Sequence, residues 1–140
     1  MNWFAEIRDI TKGDEKWVKE IFEKHAYTLG PFGMAWYRYW QLKEENPKAG
    51  ELWVGIENIA FCHYRVRRNK RRTIYEIAVV DGYKGQGIGK AILNYVGYPI
   101  DLKTDIDNPI SNGFYNKYGF KLTGTGQSKN GSKKFNYYSK

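Results

Sequence analysis

A change of periodicity near residue 80 constrains this chain more than any other feature. Upstream, Thr73 to Val80 is rich in β-branched and aromatic residues and reads as a strand. Downstream, Ile88, Ala91, Ile92, Tyr95 and Val96 recur at offsets 0, 3, 4, 7 and 8, the spacing of one apolar helical face. Between them stands Asp81-Gly-Tyr-Lys84-Gly85-Gln86-Gly87-Ile88-Gly89-Lys90. A strand, a glycine-rich turn and a helix in that order aim bare backbone amides at a helix N-terminus, which suits an anion such as a pyrophosphate. Two commoner phosphate loops do not fit. A dinucleotide fingerprint needs its third glycine one position later, and a P-loop wants Ser or Thr where Ala91 stands. A strained turn without ligand would use the same glycines, so the string alone does not assign the chemistry.

The rest of the chain supplies the elements around it. Residues 3 to 10 alternate loosely and are expected to form a first strand, with Thr11-Lys-Gly-Asp14 capping a helix over about residues 15 to 25. Leu29-Gly-Pro-Phe-Gly33 breaks that helix, and Met34 to Glu45 reads as a second, ended by Asn46-Pro47. Its Trp36, Tyr37, Tyr39 and Trp40 surround most of the helix; they are packing residues, or, nearest the break, the lining of a substrate pocket. Leu52 to Ile56 and Ile59 to Val66 join Thr73 to Val80 in an antiparallel meander. Pro99 to Lys103 is a short strand, and Asn108-Pro109 opens a helix closed by Gly119. Phe120 to Thr123 and Lys133 to Tyr138 form a last hairpin around a polar loop at Gly124 to Ser132. The order predicts one α/β domain over residues 1–140, a mixed, mostly antiparallel sheet with helices on both faces.

Hydrophobic residues make up 41% and aromatics 17%, enough for a packed core. No apolar run approaches the ~18 to 20 residues needed to cross a bilayer, so no membrane partner is expected and a soluble, cytoplasmic protein is. The single Cys62 cannot form an intramolecular disulfide, and His25 and His63 are too far apart in sequence for metal-ligand spacing, so no metal is expected. The formal charge is +8, but six basic residues crowd into Arg65 to Arg72, and subtracting them leaves +2. That segment is either a solvated hairpin tip or the footprint of a nucleic acid.

The residues flanking the glycine string carry a resemblance. The chain is similar to the GNAT acetyltransferases, whose cofactor loop reads Arg or Gln, two residues, Gly, one residue, then Gly or Ala, after a strand and opening a helix. Lys84, Gly87 and Gly89 match that spacing, with lysine in place of Arg or Gln. Lysine still donates to phosphate, as a point charge rather than a fork. A second signature, an Asn followed seven residues later by a Tyr and then Lys-Leu-Gly-Phe or similar, is met by Asn108, Phe114-Tyr115 and Lys117-Tyr118-Gly119-Phe120. A Tyr-Glu-Ile-Ala-Val strand and an Asp-Asn-Pro helix start also resemble small GNATs of phage and prophage genomes.

The resemblance implies acetyl-CoA as acyl donor. It implies a cofactor site made of Ala78, Val79, Val80, Lys84, Gly85, Gln86, Gly87, Ile88, Gly89, Lys90, Asn108 and Tyr115. A backbone N–H near Val79 would polarise the thioester carbonyl. An acceptor amine would attack directly, with Tyr115 as the acid that protonates the leaving thiolate and Glu76 as the base, direct or through water. Glu76 is equally placed to pair with Arg65 or Arg67 across the sheet. The resulting expectation is an N-acetyltransferase acting on a primary amine, as monomer or homodimer. Two alternatives stand beside it: an acyltransferase directed to a nucleobase or an aminoacyl-tRNA through Arg65 to Arg72, and a non-catalytic binding protein on the same fold.

Overall fold

The computed structural model describes residues 2–25, 29, 31–45 and 50–140. The chain runs through α1 (Trp3–Glu6), β1 (Arg8–Asp9), a 3-10 turn (Lys12–Asp14), α2 (Glu15–Lys24), α3 (Phe32–Glu45), β2 (Glu51–Ile56), β3 (Ala60–Val66) and β4 (Arg72–Val79). A second 3-10 turn (Asp81–Tyr83), α4 (Ile88–Val96), β5 (Ile100–Asp105), α5 (Pro109–Lys117), β6 (Lys121–Gln127) and β7 (Lys134–Ser139) complete it. The strands form one seven-stranded sheet, ordered β1-β2-β3-β4-β5-β7-β6. All neighbours are antiparallel except β4 and β5. The expected mixed sheet with helices on both faces is the fold observed.

Side-chain alternation along the strands divides the core in two. Val54, Ile56, Cys62, Tyr64 and Ile74 meet Ile88, Ile92, Leu93 and Val96 of α4 and Tyr115 of α5 on one face. Trp53, Phe61 and Ala78 meet Trp17, Val18, Ile21 and Phe22 of α2 and Phe32, Trp36, Tyr39 and Trp40 of α3 on the other. Each fully buried aliphatic or aromatic side chain contributes roughly 1.5–3 kcal/mol, which is what holds short helices to the sheet. α2 is anchored at its start by Asp14. That carboxylate accepts from Arg8 Nη1 and Nη2 at 2.9 and 2.8 Å, from Thr11 N at 2.9 Å and from Trp17 Nε1 at 2.8 Å. The Arg8 hydrogen bonds lead in holding it well below the usual carboxylate range.

Three expectations are corrected. In place of a strand over 3–10, Asn2 Oδ1 accepts from Ala5 N at 3.4 Å and starts a helical turn, leaving Arg8–Asp9 to pair with β2. Trp3 packs edge-on to Tyr83 and Phe4 against Tyr95, so aromatic docking on the α4 side outweighs the loose alternation. α3 starts two residues earlier than Met34, at Phe32, directly after Pro31; its expected end at Asn46-Pro47 lies outside the described residues. The loop expected at Gly124 to Ser132 is half strand: β6 pairs with β7 as far as Gln127↔Lys134, and cross-strand pairing overrides the poor strand propensity of Gly124 and Gly126.

Candidate active site

β4 changes character along its length. At its start it pairs with β5 through Arg72↔Ile100 and Thr73↔Asp101, and beyond Thr73 the ladder between them ends. β5 continues to Asp105 paired only with β7. The sheet therefore opens between β4 and β5 from Ile74 onward. Val80 N donates to Ile59 O at 2.9 Å, toward β3. Because backbone groups alternate sides along a strand, the N–H and C=O of Val79 and Ile77 point the other way, into the opening.

The glycine string lies beyond the end of this strand. Gly85 and Gly87 adopt φ of +80° and +82°, the left-handed region where other residues are strained, and a Cβ on either would meet open space. Ala91 N makes the first bond of α4, to Gly87 O at 3.0 Å. The N–H groups of residues 85–90 accordingly have no backbone acceptor among the described residues, and the N-terminal dipole of α4 adds to their field. Lys84 Nζ sits 2.9 Å from Asp81 Oδ1, beside the same turn. Gly89 has a different cause. A Cβ there would stand 2.9 Å from Phe114 Cζ, so its glycine lets α4 and α5 touch.

α5 starts as expected: Asn108 Oδ1 accepts from Ser111 N at 3.1 Å and Pro109 occupies the first turn. Asn108 is thus engaged as a cap, and the side chain that ties the helix to the sheet is Asn112. Its Nδ2 donates to Asp105 O at 3.0 Å and Asn108 O at 2.7 Å, while its Oδ1 accepts from Tyr138 Oη at 2.7 Å and Asn136 Nδ2 at 2.9 Å. Tyr115, one turn further, is buried against Phe120 and against Tyr138 of β7, in the same core as Cys62 of β3. β3 and β7 flank β4 and β5, so Tyr115 lies across the opening. Burial above all, then Cys62, pushes its phenol above the ordinary value of 10, and it stays protonated at neutral pH. Burial likewise pushes the Cys62 thiol up.

Glu76 faces the other way. The β3–β4 register shifts between His63↔Glu76 and Tyr64↔Ile74, leaving Tyr75 as an extra residue in β4. Such a bulge re-aims side chains. Glu76 Oε2 contacts His63 Nδ1 at 2.6 Å; the pairing with Arg65 or Arg67 weighed from sequence is replaced by one with the residue directly opposite. His63 stacks on Trp53 with ring centroids 4.2 Å apart, and its Nε2 stands 3.7 Å from Glu51 Oε1 without a hydrogen bond. These groups line a cavity of about 400 Å³ with Tyr75, Arg65 and, from α3, Met34, Arg38 and Tyr39. Of the α3 aromatics weighed as pocket lining, Tyr39 lines the cavity; Trp36 and Trp40 are core and Tyr37 is exposed. Glu76 and Tyr115 thus lie on opposite faces of the sheet. Sequence reading missed His63, Glu51 and Arg38. The signal available was the register of the β2–β3 hairpin, which puts Trp53 opposite His63 and Glu51 opposite Arg65.

The basic segment is only partly a solvated tip. Arg71 donates from Nε and Nη2 to Asp101 at 2.7 Å each, and Arg72 from Nη1 to Lys70 O at 2.8 Å and Tyr98 O at 3.1 Å. Arg67 Nε donates to Thr73 Oγ1 at 2.6 Å, while Arg68 and Lys70 are exposed. Among the described residues no cluster of three or more His, Cys, Asp or Glu side chains is placed to hold a metal, and no helix is long and apolar enough to cross a membrane.

Known structures share this architecture. The ribosomal-protein-S18-alanine N-acetyltransferase of Escherichia coli superposes with a TM-score of 0.69 at 19% identity, over 95% of this chain and 90% of that one. The Streptococcus mutans protein smu.2055 gives 0.72 at 22% identity, over 96% and 97%. Arabidopsis thaliana NAA60, solved in complex with a bisubstrate analogue, gives 0.68 at 15%, over 96% and 95%. At these identities the likeness establishes the fold alone. No curated protein matches the sequence. The family model described as an acetyltransferase (GNAT) domain matches residues 48–122, more than half of the chain and the whole span from β2 through α5, and the chain belongs to the GNAT acetyltransferase family.

Proposed function

We propose that the chain is an N-acetyltransferase that moves an acetyl group from acetyl-CoA to a primary amine by direct attack. The observation that carries this reading is the opening between β4 and β5, with the amides of residues 85–90, which have no backbone acceptor among the described residues, beyond one end of β4. The residues fit the cofactor. Gly85, Gln86, Gly87, Ile88, Gly89 and Lys90 would hold its pyrophosphate with backbone N–H groups, Lys84 would add a charge, and Ala78, Val79 and Val80 would line its arm along the unpaired strand edge. Acetyl-CoA supplies the activated acyl thioester. The Val79 N–H, on the unpaired edge of β4, would polarise the thioester carbonyl. Glu76, oriented by His63, takes the proton from the acceptor ammonium, and Tyr115 Oη holds the proton that a departing thiolate needs. Asn108 contributes by capping the helix that carries Tyr115.

The remaining parts of the reading are a single domain over 1–140, cytoplasmic, monomeric or homodimeric, and related to small phage GNATs. A nucleic-acid acceptor has less support, because Arg71 and Arg72 are consumed by bonds to Asp101 and to the backbone. The test is calorimetric titration with coenzyme A. Gly87→Val forces a branched side chain into the left-handed region and into the space above the amides, and should weaken binding at least tenfold, about 1.4 kcal/mol. Equal affinity in a folded variant would remove the pyrophosphate assignment.

A further inference from the structure

The cavity beside Glu76 carries both signs of charge. On its inner wall the Glu76 and Glu51 carboxylates bracket His63, whose side chain is only 6% exposed and whose Nε2 makes no hydrogen bond. Arg38 of α3 and Arg65 of β3, the cross-strand partner of Glu51, also line it, and both are exposed. No carboxylate among the described residues lies within ion-pair distance of either guanidinium. This is unlike Arg8 and Arg71, each of which is tied to an aspartate in the same molecule. Two carboxylates and two guanidiniums without a carboxylate partner in one cavity of about 400 Å³ balance each other in charge and offer a ligand both signs.

We propose that the acceptor is a small zwitterion: a primary amine with a carboxylate or phosphate a few bonds away. This rests on the transferase reading and names its substrate class. The ammonium sits at Glu76 and Glu51, where it loses its proton before attack, and the anionic group is gripped by Arg38 and Arg65. Tyr39 and Tyr75 wall the space between with aromatic surface. A polyamine would leave its second cation facing the two arginines, and a polyanion would face the two glutamates, so each single-sign ligand meets repulsion somewhere in the cavity. Guanidinium groups suit a planar carboxylate or a phosphate equally, since both accept paired N–H donors.

Initial rates with four acceptors of similar length decide it: γ-aminobutyrate, aminopropyl phosphate, n-butylamine and putrescine. At least one of the two zwitterions should exceed both n-butylamine and putrescine in kcat/KM by tenfold or more, and the better one tells carboxylate from phosphate. Arg38→Gln/Arg65→Gln should collapse that ratio toward one, and Arg38→Glu/Arg65→Glu should turn the preference to putrescine. Both positions are exposed, so a thermal melt unchanged from wild type is expected and is checked first. Equal or better use of n-butylamine or putrescine by the wild type, or a ratio unmoved by the double variants, overturns the zwitterion while leaving the transferase standing. Transfer to none of the four overturns both this inference and the reading beneath it.

Discussion

The two halves of β4 face the same neighbour and treat it oppositely. At Arg72 and Thr73 the strand is zipped to β5, and around that point Arg71 binds Asp101 twice, Ser139 Oγ adds a third bond to Asp101, and Arg72 N donates to Pro99 O at 2.8 Å. From Ile74 the strand parts from β5, takes a bulge at Tyr75, and turns Glu76 toward His63. A sheet that opens must be held firmly where the opening starts. The closed half supplies that hold with charge-assisted bonds, so the open half leaves backbone groups unpaired without the edge unravelling.

Substitutions sharpen this contrast by separating loss of activity from loss of stability. Glu76→Gln in the open half keeps an acceptor for His63 but removes the base; turnover should fall about 10³-fold with the unfolding midpoint nearly unchanged. A normal rate would assign proton removal to water or another group. Tyr115→Phe deletes a hydroxyl with no hydrogen-bond partner among the described residues. Single-turnover acetylation should slow about 10²-fold while coenzyme A affinity holds, and equal rates would exclude the phenol as proton donor.

The closed half should behave in reverse. Arg71 first, then Ser139, holds the Asp101 carboxyl below its ordinary value of 3.8. A depressed carboxylate stabilises the fold above its unfolded pKa, and that contribution is lost as pH falls through the folded value. Asp101→Asn should lower the urea midpoint at neutral pH and flatten its fall as pH drops from about 5 to about 2, leaving the chemical step intact. A variant that unfolds like wild type at both ends of that range would break the comparison. The smallest effect belongs to the outer tip. Arg67→Gln, Arg68→Gln and Lys70→Ser together should change neither folding nor acetylation of small amines, and filter binding to duplex DNA and tRNA at two salt concentrations should show no tight, salt-sensitive association to lose.

What could be read without coordinates follows from how far apart the cooperating residues lie. The turn at Lys84 to Lys90 and its helix were legible because strand, turn and helix signals sit side by side, and Asn108 because a cap is a local signal, whereas the roles given to the loop and to Tyr115 came from the family resemblance alone. The acceptor cavity was not. Its members come from β2, β3, β4 and α3, and which of them face inward depends on a hairpin register and on the extra residue at Tyr75. Arg71 was read as one charge of a solvated run because its partner Asp101 lies thirty positions on, across a parallel pairing. The first strand was shortened to Arg8–Asp9 for a nearer reason: Trp3 and Phe4 contact α4-side aromatics instead of the sheet.

The close approach of Gly89 and Phe114 joins the glycine string to the helix of Tyr115. One side chain deletion lets the loop helix rest on the residue adjoining Tyr115, so an alanine at position 89 would displace the ring and, through it, the phenol. Loop and tyrosine are thereby coupled through one ring. A chimera joining the glycine string of one relative to the tyrosine helix of another should work only when the ring and the gap beneath it are transplanted together.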